Sequence, residues 1–197
     1  MNDFNVIAPI YDRLAGFVFG DSIEKATSHF LSEIQANDKV LVLGGGTGKL
    51  LEIIPECGEI AFLDKSKSMI TRARKRRCKN QVAFVREDFL QYRNASEWDV
   101  VICPFFLDCF DARHLRLAME KITNSLTIGG RLIISDFQET RSLALFRFMH
   151  FFFRLFARLE SKKLKNIHQH ILEKGFTVEK EEFYHKKIIF SRVYRNL

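Results

Sequence analysis

The sequence holds few of the residues that build disulfide-bonded or metal-binding domains. Only four cysteines occur in its 197 residues, at Cys57, Cys78, Cys103 and Cys109. No two of them form a CxxC pair, and no histidine cluster lies near them at the spacing of a zinc site. We therefore expect no metal centre. Scattered cysteines of this kind also favour a reducing compartment.

Long apolar runs are missing as well. No stretch approaches the ~20 uncharged apolar residues that a membrane-spanning helix needs. The segment from Met1 to Tyr11 lacks the basic region and apolar run with which a secretory signal peptide begins. Proline occurs only three times, and no repeat or low-complexity linker divides the chain. These absences predict a cytoplasmic protein with a single domain.

Charge is present in a small positive excess, with a formal net charge of +7. Such an excess can simply keep a protein soluble, or it can attract nucleic acid, an anionic membrane or an acidic metabolite. The densest basic run, Arg72 to Arg77, is best interpreted as a solvated helix face. Contact with RNA or anionic lipid is the alternative, and we do not expect nucleic acid as the partner.

Strand and helix patterns alternate along most of the chain, which indicates an α/β fold with a parallel sheet and helices on both faces. Strands are predicted at 39–43, 59–63, 81–85, 99–103 and 131–135, and helices at 21–34, 48–55, 66–77 and 111–126. Two final strand patterns, at 176–184 and 187–194, predict a hairpin that adds an antiparallel strand at the edge of the sheet.

A glycine-rich turn follows the first strand: residues 40–48 read Val-Leu-Val-Leu-Gly-Gly-Gly-Thr-Gly. Glycines let a ligand approach the main chain, and the N–H groups of a following helix favour an anionic or polar group. A P-loop is excluded because Leu43 stands at its first glycine position and Leu50 at its hydroxyl position. A GxGxxG dinucleotide turn is excluded because Lys49 replaces its third glycine. The remaining pattern is GxGxG.

Two acids follow later strands in register with this turn. Asp64 ends the second strand, about 20 residues after the first glycine, where an acid can accept hydrogen bonds from ribose hydroxyls. A helix cap is the alternative for Asp64. Asp88 and Phe89 follow the third strand, and a solvated loop acid is the alternative for Asp88.

Together these elements resemble the class I S-adenosylmethionine-dependent methyltransferases over about residues 38–136. The resemblance implies a doubly wound Rossmann-like sheet of about seven strands with an antiparallel C-terminal strand, and S-adenosylmethionine as cofactor. Residues 7–13, Ile-Ala-Pro-Ile-Tyr-Asp-Arg, are similar to a segment of ubiquinone and menaquinone pathway methyltransferases, in which Tyr11 would cover the methionine end. Core packing is the alternative for Tyr11. The implied cofactor-binding residues are Tyr11, Gly44, Gly45, Gly46, Gly48, Asp64, Lys65, Asp88, Phe89, Cys103 and Pro104.

The sequence departs from the family pattern at Val42, where many members carry an acid two residues before the first glycine. That acid helps to hold the amino group of the cofactor. Without it, the backbone carbonyls of Leu43 or Cys103 are left to accept from the amino group.

The fourth strand runs into Cys103-Pro-Phe-Phe-Leu-Asp108, which we expect beside the reacting sulfur of the cofactor. Amino-methyltransferases carry an Asn/Asp-Pro-Pro-Tyr/Phe sequence here, so Cys103 and Phe105 argue against methylation of a nucleobase amine. Phe105 and Phe106 favour an apolar or aromatic acceptor, or a cation–π contact with the sulfonium. Asp108 is a candidate general base, with an N-cap for the helix near Asp111 as the alternative. Asp136, at the end of the fifth strand, is predicted to open on the same cleft.

Residues 142–160 predict a helix in which apolar side chains, most of them Phe, leave only a narrow basic stripe. Such a surface is wider than one sheet face can cover. Core packing is the simplest interpretation. The alternatives are an acceptor pocket lined by Phe148 and Phe152, a homodimer contact, or a peripheral membrane contact.

The sequence therefore predicts one methyltransferase domain over 1–197, with a helical cap at 1–36, a cofactor core at 38–136, a helical acceptor-side segment at 141–174 and a hairpin at 175–197. Its expected reaction is methyl transfer to a small, largely apolar molecule, at oxygen or carbon rather than nitrogen. Methylation of RNA or protein, and cofactor binding without catalysis, are the alternative functions.

Overall fold

The computed structural model describes residues 19–93, 97–138 and 167–197. Tyr11, Phe148 and Phe152 lie outside these residues, as do most of the predicted 141–174 segment and the first half of the helical cap. Within the described ranges, no helix is long and apolar enough to cross a membrane.

The described residues form a seven-stranded sheet in the order β3-β2-β1-β4-β5-β7-β6. Strands β1 to β5 run parallel, and β7 pairs antiparallel with both β5 and β6. This arrangement confirms the predicted α/β fold. The strands are β1 Lys39–Leu43, β2 Glu59–Leu63, β3 Val82–Val85, β4 Trp98–Pro104, β5 Leu126–Phe137, β6 Phe176–Tyr184 and β7 Ile189–Asn196.

The predicted C-terminal hairpin is confirmed at this end of the sheet, with β7 next to β5 and β6 at the edge. Burial explains the order. Residues Ile189 to Tyr194 of β7 are all buried, whereas most of β6 is exposed. The more apolar strand of the hairpin therefore takes the interior position beside β5.

The helices are shorter than the sequence pattern predicts. They are α1 Ser22–Ser28, α2 Lys67–Ala73, α3 Ala112–Thr123 and α4 Ile167–Leu172. The predicted helix at 21–34 is interrupted at Phe30, whose backbone leaves the helical region, and continues only as a 3₁₀ turn at Leu31–Glu33. The predicted helix at 48–55 is a single 3₁₀ turn at Lys49–Glu52. Helix α2 ends at Ala73, so most of the basic run lies beyond it.

Both faces of the sheet are covered, which explains the continuous apolar run in β1. Leu41 and Leu43 pack into a core with α3, whereas Val40 and Val42 pack into a second core with α2. Helix α1 is tied to the sheet where the Ser135 hydroxyl donates to the Ala26 carbonyl over 2.8 Å. This contact places the N-terminal helical residues beside the carboxyl end of β5.

Candidate active site

The glycine turn and the two acids meet at one edge of the sheet. The register pairs Leu43 of β1 with Leu63 of β2, and Leu63 with Val85 of β3. The Gly44 N–H extends this ladder by donating to the Leu63 carbonyl over 2.8 Å. Residues that follow these three strands therefore begin at the same level, which is the ligand-binding edge of an open α/β sheet.

The glycine turn is tightly packed on one side and open on the other. A Cβ added to Gly45 would lie 2.3 Å from the Phe62 ring, and one added to Gly48 would lie 2.7 Å from Ala73. A Cβ on Gly46 would meet nothing within 4 Å. Gly46 has φ +58°, in the left-handed region that glycine adopts readily. The turn thus exposes main chain to any ligand that reaches Gly46.

Asp64 points its carboxylate at this turn. The side chain accepts from the Gly46 N–H over 3.1 Å and from the Ser66 N–H over 2.8 Å. The N-cap of α2 is Ser66, whose hydroxyl accepts from the Met69 N–H over 3.2 Å. Ser66, and not Asp64, therefore caps helix α2, so the capping alternative for Asp64 was wrong.

The electrostatics of Asp64 are set by its burial, with only 9% of the residue exposed. Burial raises the pKa of the carboxyl, while the N–H groups of Ser66 and Gly46 and the charge of Lys65 act in the opposite direction. A carboxylate offers about four acceptor positions. Two N–H donors leave it free capacity to accept hydroxyl donors.

Asp88 and Phe89 lie on the β3 side of the same edge. The Asp88 carboxylate is half-buried and accepts from the Leu90 N–H over 2.9 Å. The Phe89 ring is buried and forms an edge contact with Phe106, with ring centroids 5.9 Å apart. Because its ring is turned inward, Phe89 can meet a cofactor through its main chain, as the family resemblance implies.

Phe106 lies directly on the first glycine of the turn. A Cβ added to Gly44 would be 2.3 Å from Cδ2 of the Phe106 ring. The ring also contacts Phe110, with centroids 5.0 Å apart and planes at 89°. The sequence predicted Phe106 at this edge but not Phe110, whose spacing carries no signal of its own. Gly44 is therefore required both by its φ of +64° and by the ring above it.

Phe105 faces the β5 side. Its backbone has φ +51°, and its N–H donates to the Ser135 carbonyl over 2.6 Å. The Phe105 ring packs on Phe137 at 4.9 Å, and Phe137 packs on Phe19 at 5.2 Å. Phe137 and Phe19 are buried, so these contacts fix the half-buried Phe105 ring against the core at the end of β5.

The structure changes the interpretation of Asp136 and removes the alternative for Asp108. Asp136 is fully buried, and its carboxylate accepts three backbone N–H groups, from Leu107, Asp108 and Phe137. The carboxyl therefore faces main-chain N–H groups and does not open on the cleft as the sequence predicted. The capping alternative for Asp108 was wrong, because the N-cap of α3 is Asp111, whose side chain accepts from the Arg113 and His114 N–H groups at 2.9 Å.

Two further positions are limited to main-chain roles. The Cys103 side chain is buried, and burial together with the charge of Asp136 raises the pKa of its thiol. Pro104 follows as the last residue of β4. Val42, where the family often has an acid, is fully buried, and its Cγ1 would lie 2.9 Å from a Cβ on Gly45. An apolar side chain therefore supports the turn from below.

Comparisons with known proteins agree with this geometry. Residues 41–132 match a family model described as a methyltransferase domain. A malonyl-[acyl-carrier protein] O-methyltransferase of Bacillus cytotoxicus is 29% identical over 178 residues, which are 85% of this chain and 56% of that protein. The chain thus spans about half the length of this curated relative.

Solved structures show the same fold at low sequence identity. Magnesium protoporphyrin IX methyltransferase from Synechocystis PCC 6803, with bound S-adenosyl-homocysteine, has a TM-score of 0.71 at 18% identity, covering 98% of this chain and 96% of that one. A Haloferax volcanii methyltransferase in complex with the Trm112 activator has a TM-score of 0.75 at 14% identity, covering 99% and 98%.

These matches agree with the predicted class. Residues 41–132 are similar to a methyltransferase domain, and the fold is the one that the solved methyltransferase structures share.

Proposed function

We propose that this chain transfers the methyl group of S-adenosylmethionine to a small, largely apolar acceptor, at oxygen or carbon. The observation that carries the proposal is the group of half-buried aromatic side chains that follow β4, Phe105, Phe106 and Phe110, of which Phe106 lies over the glycine turn. Half-buried rings of this kind bind apolar or aromatic groups by burial and edge contacts.

The described residues fit the cofactor. The open main chain at Gly46 and the buried carboxylate of Asp64 supply a close approach for a nucleoside and an acceptor for its ribose hydroxyls. Asp88 would accept from the adenine amino group, with the Phe89 backbone beside the ring. The carbonyls of Leu43 or Cys103 would accept from the amino group, because Val42 offers no acid.

The protein's main task in such a reaction is alignment. The bound cofactor supplies an electrophilic methyl group on a positively charged sulfur, so the chain needs to hold the acceptor in line with that bond. Asp108 is the side chain that we propose as a base for a hydroxyl or enol proton. Its Oδ1 lies 3.4 Å from the Cys109 sulfur, in the turn that also carries Phe106.

Oxygen is favoured as the acceptor atom by the relative whose name states O-methyl transfer. The acceptor segment also lacks the amide or acid that amino-methyltransferases place at position 103. The four cysteines are free thiols, which supports the cytoplasm as the site of the reaction. A homodimer or membrane contact through the Phe-rich segment stays a prediction.

The test measures binding and turnover separately. Calorimetry with S-adenosyl-homocysteine, NAD and ATP should show binding of the first alone. Purified protein with labelled S-adenosylmethionine should then form S-adenosyl-homocysteine only when an acceptor is added from a panel of aromatic and acyl hydroxy- and carboxy-compounds. Binding without turnover on the whole panel, or labelling of RNA or protein alone, would contradict the proposal.

A further inference from the structure

The strongest feature that the proposed reaction does not use is the buried carboxylate of Asp136. Its Oδ2 accepts from the N–H groups of Leu107 at 3.0 Å and Asp108 at 3.2 Å, and its Oδ1 accepts from Phe137 at 2.8 Å. The first two bonds span 29 and 28 residues. They tie the end of β5 to the 3₁₀ turn at Leu107–Cys109.

That turn needs an anchor, because the backbone before it is strained. Phe105 has φ +51°, a left-handed conformation that is unfavourable for a residue with a side chain. Strained residues persist where surrounding contacts over-determine them. Here the contacts are the Phe105 N–H bond to Ser135 and the two N–H bonds received by Asp136.

The consequence of the anchor is the position of Phe106, which lies between the strained residue and the anchored turn. Its ring fills the space above Gly44 so closely that no side chain fits there. A shift of the 3₁₀ turn would therefore move this ring relative to Gly44. The anchor on β5 is thus mechanically linked to the surface at the end of β1.

We propose that Asp136 is a positioning residue that fixes the Phe106 ring over Gly44 and thereby shapes the cofactor site next to the acceptor surface. This inference rests on the proposed function. Asp136 itself touches neither cofactor nor acceptor, because it is fully buried.

The charges around Asp136 make its three N–H donors necessary. Burial and the charge of Asp108 raise the pKa of the Asp136 carboxyl well above its usual range, and the donated N–H groups oppose the rise. Burial raises the pKa of the Cys103 and Cys109 thiols, and the charge of Asp136 acts in the same direction on both. No cation among the described residues contributes to the shift of the Asp136 pKa.

The decisive variant is Asp136→Asn, which keeps the shape but replaces one acceptor oxygen with a donor. Either orientation sets an NH₂ group against at least one backbone N–H. We expect affinity for S-adenosyl-homocysteine to fall roughly 10- to 100-fold, the size of a lost hydrogen bond to a charged group. Asp38→Asn is the matched control: Asp38 is also buried and accepts a backbone N–H and Arg131, but it precedes β1 at the opposite edge. It should lose stability without losing affinity.

A double-variant cycle separates positioning from general destabilisation. If Asp136 acts through the ring, Asp136→Asn should weaken cofactor binding strongly in wild type but little in a Phe106→Ala background. Wild-type affinity in Asp136→Asn, or additive losses in the double variant, would overturn the inference. Absence of cofactor binding by the wild type would instead contradict the proposed function.

A second measurement covers the case in which Asp136→Asn does not fold. Amide hydrogen exchange of the wild type should show Leu107 and Asp108 protected, and protected further when S-adenosyl-homocysteine is added. Exchange of both amides as fast as in an unstructured peptide, or without response to the cofactor, would contradict the inference.

Discussion

The Gly46 N–H donates to the carboxylate of Asp64 over 3.1 Å, across 18 residues of sequence. This bond joins the glycine turn after β1 to the end of β2 and orients the acid toward the open side of the turn. The two features that define the predicted nucleoside site are therefore one hydrogen-bonded unit.

Removal of the Asp64 carboxylate should weaken the binding of the cofactor. We expect Asp64→Ala to lower affinity for S-adenosyl-homocysteine by ~1.5–3 kcal/mol, as for hydrogen bonds to a charged group. Titration calorimetry measures the change. Ser66→Ala is the matched control, because it removes the helix cap next to Asp64 and should cost ~1 kcal/mol of stability. Equal affinity of Asp64→Ala and wild type would mean that the ribose is held elsewhere.

Cofactor affinity should also depend on pH through Asp64. Burial raises its pKa above the usual 3.8, so the carboxylate that accepts ribose hydroxyls is lost as pH falls through that raised value. Affinity should drop over this range, and the drop should be smaller in Asp64→Asn. A wild-type profile that is flat down to pH 3.8 would contradict this prediction, because a raised pKa leaves the carboxyl more than half protonated there.

The same pKa shift has the opposite sign for stability. The folded state binds the Asp64 proton more tightly than the unfolded state. Between pH 3.8 and the raised pKa, the unfolded state therefore binds fewer protons than the folded state, and stability falls as pH rises. The contribution of Asp64 to the free energy of unfolding is therefore greatest below 3.8 and decreases as pH rises through the folded pKa. Denaturant unfolding of wild type and Asp64→Asn across this range should show a steeper decline in the wild type.

Gly44 should be less replaceable than another glycine of similar backbone angle. Gly44 has φ +64° and Gly129 has φ +73°, so alanine is strained at both, by roughly 1–2 kcal/mol. Of these two glycines, only Gly44 would place the new Cβ against a ring, that of Phe106; a Cβ on Gly129 would meet nothing within 4 Å. We expect Gly44→Ala to lose more than about tenfold in cofactor affinity, while Gly129→Ala keeps it. Phe106→Ala should partly restore affinity to Gly44→Ala, and no restoration would argue that the ring is not the obstacle.

The Phe-rich segment gives a prediction that lies outside the described residues. If Phe148 and Phe152 line the acceptor pocket, alanine at either should cost clearly less than the ~3–5 kcal/mol of a buried Phe. Phe176→Ala, at a buried position of β6, is the reference for the full cost. Thermal and denaturant unfolding compare the three variants. If both variants lose as much stability as Phe176→Ala, the pocket interpretation is refuted. Small losses of stability with dissociation of a dimer would favour a homodimer contact, and small losses with weaker liposome binding would favour a membrane contact.

The sequence by itself determined the features that depend on neighbours along the chain. A short apolar run bounded by turn residues is typical of a strand buried on both faces, and this pattern predicted β1 and β2 with their observed bounds. The GxGxG spacing depends on backbone freedom of single residues, so it predicted the turn and the methyltransferase class. Gly44 and Asp64 follow two successive parallel strands, so their position at the same edge of the sheet could also be predicted from the sequence.

Only the tertiary structure decided the features that depend on contacts between distant segments. Sequence did not show that Asp136 holds the backbone of Leu107 and Asp108, because an acid after a strand looks the same whether it faces a ligand or buried N–H groups. The position of Phe106 over Gly44 required β1 and β4 to be neighbours in the sheet. The insertion of β7 between β5 and β6 likewise followed from which strand could be buried on both faces, a property of packing that local pattern does not contain.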